Sequence, residues 1–475
     1  MKNLKINYLK HSILLALIYF MSVNCQRYMS DDATLSTYSK NGEVFIDGFS
    51  AGLGYGAFGG SKYTAFTVDK EVKYEGTASM RFDVPSYGDP SGAYAGGVYI
   101  DGSGRNLTDF DAITFWVKGS QAASLNSVGF GVDFGLNKYK VEMSNVSIGT
   151  NWQKVTIPIP DASKLIQEKG LFWYSEGPEN NLGYTFWIDN VKYEKLGTIA
   201  HATPAIMGGV DTNQQTFIGS SITLTGLTDT FNMASGLNQT ISVAPGYYTF
   251  TSSNINVATV NEKGEVSIVG PGTSVIRATL AGIQALGSLT INSLGVFLQP
   301  PTPTKPAANV ISIFSNAYTN VPVNYTNGYW APYQTTTSAD FAVNGNNILN
   351  YQNFNFVGIE FSSPTINASS MTFMHLDVFV PNTISPSASF KVKIIDFGAD
   401  GTFGGTGANS DLTSSAVSFS GSSFVSGTWK SIDINLSNFT GLPNKLHLAQ
   451  IVFDSTVNNV SSISNVYVDN IYFYN

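Results

Sequence analysis

Residues 112–117, Ala-Ile-Thr-Phe-Trp-Val, decide the fold class of this chain, because their large side chains alternate between two faces. If the Ile, Phe and Val point inward, Trp116 lies on the opposite face, as in a half-buried β-strand. Similar runs occupy residues 154–159 and 390–394, and Gly, Asn, Asp and Ser interrupt the chain between such runs. This spacing is typical of β-sandwiches. The sequence therefore predicts an all-β protein.

The composition excludes several classes of protein. The chain has 475 residues, of which 12% are charged and 13% are aromatic. The length allows several domains, and the 43% hydrophobic content excludes a disordered tail protein. A formal net charge of −8 argues against nucleic-acid binding. The single Cys excludes intramolecular disulfides and zinc sites built from cysteine.

The N-terminal segment has the pattern of a secretory signal peptide. Three lysines among the first ten residues precede an apolar run over residues 13–23, which is too short to span a bilayer stably. Cys25 follows this run, and residues 22–25, Ser-Val-Asn-Cys, resemble a relaxed lipobox. The resemblance implies that residues 1–24 are removed, that Cys25 is acylated, and that residues 25–41 are a flexible tether to outer-membrane lipid. Ordinary secretion stays open as the alternative.

Three blocks follow the predicted tether. Strand-like runs fill residues 42–197, 203–293 and 309–475. Residues 294–308 contain the stretch Gln-Pro-Pro-Thr-Pro-Thr-Lys-Pro, which predicts a stiff extended linker.

Each block resembles a known kind of β-sandwich. The motifs that carry the resemblances are residues 44–49, 74–82, 107–119 and 186–193 in the first block, 248–261 and 264–278 in the middle block, and 310–320, 390–405 and 466–473 in the third. The first block resembles jelly-roll carbohydrate-binding modules, and the middle block resembles a group-2 bacterial immunoglobulin-like domain. The third resembles a C-terminal sandwich of glucan-degrading enzymes, laminarinases among them, and of surface glycan-binding proteins of Bacteroidota such as those of SusE/SusF type. We therefore expect a jelly roll, an Ig-like spacer and a second jelly roll in tandem.

Aromatic and polar side chains of the first block are candidates for sugar binding, because sugars need flat aromatic faces and a few directional polar groups. The candidates are Tyr55, Arg81, Tyr94, Tyr99, Trp116, Trp173 and Tyr174. Several of the tyrosines stand among glycines, and the Trp-Tyr pair precedes a turn-like stretch. For that pair a ligand platform and a loop plug remain equally open, and the Arg could instead form a plain surface ion pair.

The third block repeats this pattern. The candidate residues are Trp330, His375, Asp377, Lys391, Lys393 and Asp396. Strand alternation places the His and the first Asp on one face, and the two lysines opposite the Val and Ile of their own strand. We expect these groups to form one glycan groove. A solvated polar face is the alternative.

A recurring Asp-Asn pair in the last strand of both outer blocks suggests calcium. The resemblance to jelly-roll modules implies a structural Ca²⁺ held by Asp47, Glu75 and Asp189 in the first block, and by Asn316 and Asp469 in the third. Alternatively, each Asp-Asn pair makes a local hydrogen bond.

These features predict a non-catalytic, lipid-anchored protein of the cell surface that binds a polysaccharide. The resemblance of the third block implies β-1,3-glucan such as laminarin, captured for degradation and for uptake by an outer-membrane glycan importer. Residues 30–32, Ser-Asp-Asp, resemble the acidic tag of surface-exposed lipoproteins. The acidic residues are scattered, without a hydrolase-type cluster. An adhesin or scaffold for protein partners remains the second possibility, and a cryptic polysaccharide-degrading enzyme the third.

Overall fold

The computed structural model describes residues 37–328 and 330–475, which form β-strands, turns and short 3₁₀ segments without an α-helix. The predicted signal peptide and Cys25 lie outside the described residues. Within the described ranges no helix has the length and apolar character needed to cross a membrane. The prediction of an all-β protein built of sandwiches is confirmed.

The first block contains two sheets packed face to face. Its strands are β1 Glu43–Phe45, β2 Leu53–Ala57, β3 Phe66–Asp69, β4 Ser79–Asp83, β5 Ala95–Arg105, β6 Ala112–Gly119, β7 Ala123–Phe130, β8 Val141–Ile148, β9 Gln153–Pro158, β10 Glu168–Glu176 and β11 Thr185–Glu194. A six-stranded sheet has the order β3-β4-β11-β6-β9, with β1 on β11. The other sheet contains β2, β5, β10, β7 and β8. Phe82 meets Tyr174 between the sheets at 4.3 Å, and Phe115 meets Phe172 at 5.5 Å.

The middle block shares a sheet with the first. Its strands are β12 Ala200–Ala205, β13 Asp211–Ile218, β14 Ser221–Thr223, β15 Thr228–Asn232, β16 Asn238–Val243, β17 Tyr248–Ser252, β18 Ala258–Val260, β19 Glu265–Ile268, β20 Gly272–Leu280, β21 Ile283–Gln284 and β22 Ser288–Val296. Strand β16 pairs with β8, which gives one eight-stranded sheet in the order β12-β15-β16-β8-β7-β10-β5-β2. Phe231, Ile241 and Tyr247 belong to the same apolar core as the first block. The expected spacer is therefore fused to its neighbour, because the two blocks bury a common core.

The third block is a second two-sheet sandwich. Its strands are β23 Val310–Phe314, β24 Tyr325–Gly328, β25 Thr337–Ser338, β26 Phe341–Val343, β27 Asn346–Gln352, β28 Phe356–Glu360, β29 Phe373–Phe379, β30 Ser389–Asp396, β31 Leu412–Thr413, β32 Val417–Ser420, β33 Trp429–Asn435, β34 Leu448–Asp454, β35 Thr456–Val457, β36 Val460–Ser461 and β37 Asn465–Tyr474. One sheet has the order β25-β27-β37-β29-β33, with β23 and β26 attached. The other has the order β24-β28-β34-β30-β31, with β32 on β30.

The Pro-rich segment is extended, and it lies against the third block. Phe297 packs in an aromatic cluster with Phe217 of β13 and with Trp429 of β33. The indole Nε1 of Trp429 donates to the Leu298 carbonyl at 2.6 Å. Lys305 places its Nζ 4.2 Å from the ring centre of Tyr474. This segment therefore covers the outward face of the seven-stranded sheet.

The Asp-Asn pairs form the same irregularity in both outer sandwiches. Asn190 and Asn470 adopt a φ of 51°, and each backbone N–H is hydrogen-bonded by the preceding Asp carboxylate. The strand register shifts at both pairs, as in a β-bulge. Asn tolerates this left-handed conformation better than most residues, which gives the pair a structural cause.

Candidate functional site

The outward face of the eight-stranded sheet carries an aromatic surface over glycines. We call it platform 1 and define it by Phe58, Tyr94, Phe134 and Trp173, which lie over Gly56, Gly96 and Gly129. A Cβ at Gly96 would lie 2.5 Å from the Tyr94 ring, and one at Gly56 would lie 2.6 Å from Phe134. These glycines therefore give the rings room to lie close to the sheet.

Phe134 is the most exposed ring of platform 1. Its side chain is 59% exposed, and its backbone has a φ of 57°, a conformation that non-glycine residues rarely adopt. The ring meets Phe58 edge to face at 5.9 Å. An exposed aromatic residue in an unfavourable backbone conformation is typical of a functional position.

Polar groups adjoin the aromatic surface of platform 1. Lys140 places its Nζ 4.8 Å from the ring centre of Trp173 and 2.7 Å from a carboxylate oxygen of Glu142. The hydroxyls of Ser127 and Ser144 donate to the other oxygen of Glu142 at 2.6 and 3.2 Å. Burial would raise the pKa of Glu142, but these donors hold it below its ordinary value. The carboxylate is therefore ionised at neutral pH and can accept hydrogen bonds from a ligand.

A similar arrangement occurs on the six-stranded sheet of the third block. We call it platform 2 and define it by Tyr325, Trp330 and Phe356 with Gly358. The Trp330 ring would meet a Cβ at Gly358 at 2.5 Å, and it stacks on Phe356 with 5.9 Å between ring centres. Tyr325 lies in the same way over Gly328. Both platforms therefore pair aromatic rings with glycines of the strand below.

Platform 2 also has a carboxylate with several donors. Glu360 accepts hydrogen bonds from Tyr325 at 2.5 Å, Gln450 at 2.8 Å and Ser362 at 2.6 Å. Burial would raise its pKa, but these hydrogen bonds hold the pKa below the ordinary value.

The two predicted lysines lie on the same outward face of this sheet. Lys391 and Lys393 approach Asp454 at 3.6 and 4.0 Å. Trp330 and the two lysines therefore lie on the same face of this sheet, and their grouping in one glycan site stays a prediction.

Three predicted residues of the first block point into the core. Tyr99 is 1% exposed and Tyr174 is buried, while the half-buried Tyr55 packs on the same core. The hydroxyls of Tyr55 and Tyr174 are 3.0 Å apart. The prediction that these three rings face a ligand is wrong, because strand alternation turns them between the sheets. Trp173, at 4% exposed, faces outward but is covered by Phe58 and its neighbours.

Two further candidates lie on the opposite sheet of the first block. Trp116 stacks against Tyr74 with 3.8 Å between ring centres, so the β3–β4 loop covers part of its ring. Arg81 bonds to Asp83 at 2.9 Å and lies 5.9 Å from the Trp187 ring. Neither residue joins platform 1, because their sheet faces the other way.

The predicted groove of the third block is divided between two sheets. His375 and Asp377 lie on the seven-stranded sheet, where His375 bonds to Asp433 at 2.8 Å. Asp377 is fully buried and accepts from Asn470, whose amide also donates to the Pro301 carbonyl. The grouping of these two residues with the lysines is wrong, since the Pro-rich segment covers their sheet.

The prediction that Asp396 belongs to the glycan groove is also wrong. It is buried and accepts hydrogen bonds from the backbone N–H groups of Gly398 and His447 at 3.1 and 3.0 Å. It therefore holds a loop and does not face a ligand.

The residues predicted for calcium already have hydrogen-bond partners. Asp47 accepts from the backbone of Thr77 and Ala78, and Asp189 accepts from Tyr74 at 2.8 Å. In the third block Asp469 accepts from Asn346 at 2.9 Å.

Burial raises the pKa of Asp469 to about 6, which disfavours its charged form. Asn316 also serves the backbone, accepting from Asn347 at 2.9 Å and donating to Gly345 at 3.1 Å. Across residues 37–328 and 330–475 no three acidic, His or Cys side chains come together in a group suited to a metal. Calcium binding stays a prediction.

Sequence reasoning missed several residues of both platforms. Phe58 and Phe134 each precede a glycine, in Phe-Gly-Gly and Asp-Phe-Gly, and this spacing could have marked them as loop-borne rings. No such signal marks Lys140, Glu142 or Glu360, because their positions next to the aromatic rings depend on which strands pair.

Two parts of the chain match known family models. Residues 43–195 match the family model described as carbohydrate binding domain 30, and residues 239–282 match that of the intimin immunoglobulin-like domain. The first of these two matches indicates carbohydrate binding by residues 43–195. A search of curated proteins finds no match.

Solved structures similar to the chain include carbohydrate-binding modules. A family 30 module has 19% identity and a TM-score of 0.25, with 33% of this chain and 87% of that one covered. The family 30 module of a cellulosomal cellulase from Clostridium thermocellum has 18% identity and a TM-score of 0.23, with coverage of 34% and 96%. A tandem of family 22 modules from Paenibacillus barcinonensis has 11% identity and a TM-score of 0.22, with coverage of 93% and 99%.

Proposed function

We propose that this protein is a non-catalytic binder of β-1,3-glucan such as laminarin, lipid-anchored at the cell surface through Cys25. It captures the polysaccharide for neighbouring degrading enzymes and for an outer-membrane importer. The family match of residues 43–195 supports carbohydrate binding by the first sandwich. The observation that carries the proposal is platform 1, whose exposed Phe134 ring lies on the same outward face of the sheet as the ionised Glu142 and the hydroxyl groups that donate to it.

The chemistry of both platforms suits sugars. Aromatic rings offer apolar faces to the C–H surfaces of pyranose rings, and carboxylates and amides bind hydroxyl groups. Trp330 with Glu360 and Gln450 supplies these elements on platform 2. Two shallow sites on one chain raise the apparent affinity for a polymer that reaches both of them.

The ionisation of the carboxylates at both platforms favours sugar binding over hydrolysis. A glycosidase needs one protonated carboxylic acid, held by a raised pKa, to protonate the leaving group. The pKa values of Glu142 and Glu360 are both lowered, so both residues are ionised at neutral pH. Neither can act as that acid.

Affinity electrophoresis of the mature chain in gels containing laminarin, xylan, mannan or alginate tests the proposal. We expect retardation by laminarin and a smaller effect of the other polysaccharides. No retardation by any of the four would overturn the proposal, and retardation by one other polysaccharide alone would overturn the β-1,3-glucan assignment. Unsaturated or reducing-end products in the same incubations would contradict the non-catalytic role.

Matched variants separate the two platforms. Glu142→Gln and Glu360→Gln each remove one negative charge from one platform while keeping the side-chain shape. We expect each to weaken laminarin retardation in part and the double variant to weaken it most. Glu262→Gln is the control, because Glu262 is an exposed carboxylate that belongs to neither platform and pairs with Lys138.

A further inference from the structure

The outward face of the eight-stranded sheet continues beyond the first sandwich. One row of neighbouring residues crosses all eight strands, and its members are Gly56, Val98, Trp173, Gly129, Glu142, Ser242, Thr228 and Ala205. Directly paired residues of a sheet share a face, so Ser242 and Thr228 of the middle block lie on the same side as Trp173. The surface that begins as platform 1 therefore extends onto the middle block.

The middle part of this face consists of small neutral side chains that form hydrogen bonds. Thr230 and Thr240 are paired across the strands with 2.8 Å between hydroxyl oxygens, and Asn232 donates to Asn238 at 3.3 Å. These hydroxyls and amides keep free donor or acceptor capacity toward solvent. The alternate residues Phe231 and Ile241 are buried, as expected for the inward face. We call this surface of β15 and β16 the polar strip.

A cleft of about 260 Å³ lies where the two blocks meet. Lys140, Glu142 and Ser242 line it, together with Asn137, Val243, Ala244 and Pro245. The ion pair of Lys140 and Glu142 beside platform 1 thus faces the polar strip. The boundary between the two blocks does not separate platform 1 from the strip.

We infer that the middle block forms part of the glycan site and that the ligand is a neutral polysaccharide chain lying across the strands. This inference rests on the proposed function. At about 4.8 Å per strand spacing, the five strands of the first sandwich span about 19 Å, and all eight span about 34 Å. A short oligosaccharide therefore reaches platform 1 alone, whereas a long one also contacts the polar strip. The strip is uncharged, which suits a neutral glycan better than a polyuronate.

Isothermal titration of the mature full chain with a trisaccharide and a nonasaccharide of β-1,3-glucan tests the inference. The wild-type protein should bind the nonasaccharide more tightly. In the variant Thr230→Lys/Thr240→Lys, the nonasaccharide affinity should fall about tenfold through the loss of hydrogen bonds to the strip, while the trisaccharide affinity stays unchanged. The milder variant Asn238→Ala/Thr240→Ala should lower it several-fold and covers the case in which the lysine variant folds poorly.

Controls distinguish the inference from the proposed function. Thr249→Lys/Thr251→Lys alters two exposed threonines on β17, in a separate five-stranded sheet of the same block, and should leave both affinities unchanged. Equal wild-type affinity for both oligosaccharides, or wild-type nonasaccharide affinity in both strip variants, would overturn the inference and leave glycan binding intact. Failure of the wild-type chain to bind either oligosaccharide would overturn both.

Discussion

Replacing Phe134 by glycine should separate glycan binding from stability. Glycine adopts the φ of 57° without strain, which recovers about 1 kcal/mol. Since the ring is already 59% exposed, removing it loses only about 2 kcal/mol of apolar burial. The two effects oppose each other, so we expect the free energy of unfolding to fall by only about 1 kcal/mol.

The loss of binding is larger. A Phe side chain offers roughly 200 Å² of surface, and a sugar that covers one face of the exposed part buries about 60 Å² of it. At about 25 cal/mol per Å², this contact contributes about 1.5 kcal/mol, which corresponds to a roughly tenfold weaker Kd.

Titration with a β-1,3-glucan oligosaccharide and urea unfolding measure the two quantities. Ile255→Gly is the matched control, because Ile255 is an exposed apolar side chain in a turn of the middle block. Wild-type affinity in Phe134→Gly would refute the assignment of platform 1, and a loss of several kcal/mol of stability would refute the strain argument.

Three further predictions concern the rest of the molecule. In Gly358→Val the new side chain displaces the Trp330 ring, which lies 2.5 Å from the Cβ position, so retardation by laminarin should weaken. Urea unfolding should show a loss of about 1–3 kcal/mol in stability. Burial raises the pKa of Glu168 and of Glu176 to about 7 in the folded state, so the folded chain binds protons more tightly than the unfolded chain between their ordinary pKa of 4.5 and about 7. Stability should therefore fall as the pH rises through this window, by at most about 3 kcal/mol per group. Glu176→Gln should flatten the pH dependence of the free energy of unfolding measured with urea. An unchanged pH dependence would contradict the raised pKa of Glu176. Phe297→Ala removes a ring shared by the middle and third blocks, which should lower the free energy of unfolding by about 3–5 kcal/mol. Calorimetry should then show unfolding at a lower temperature or in two separate transitions. An unchanged thermogram would contradict the coupling between the two blocks.

Much of the fold was predictable from the sequence because alternation along a strand is a local property. The inward positions of Ile113, Phe115 and Val117 and the outward position of Trp116 follow from a period of two residues. The same reasoning placed Lys391 and Lys393 together on one face. It failed for Tyr99, where a strand rich in glycine gives no contrast between its two faces.

The sequence by itself therefore determined the all-β architecture and the side of each regularly alternating strand that faces the core. The tertiary structure decided which outward faces stay open, because these depend on what packs against them from elsewhere in the chain. His375 and Asp377 lie on a sheet that the Pro-rich segment covers, and Trp116 lies under the β3–β4 loop. Strand pairing between β8 and β16 joined two blocks that the sequence had separated, since hydrogen bonds between strands connect residues 100 positions apart that share no local pattern.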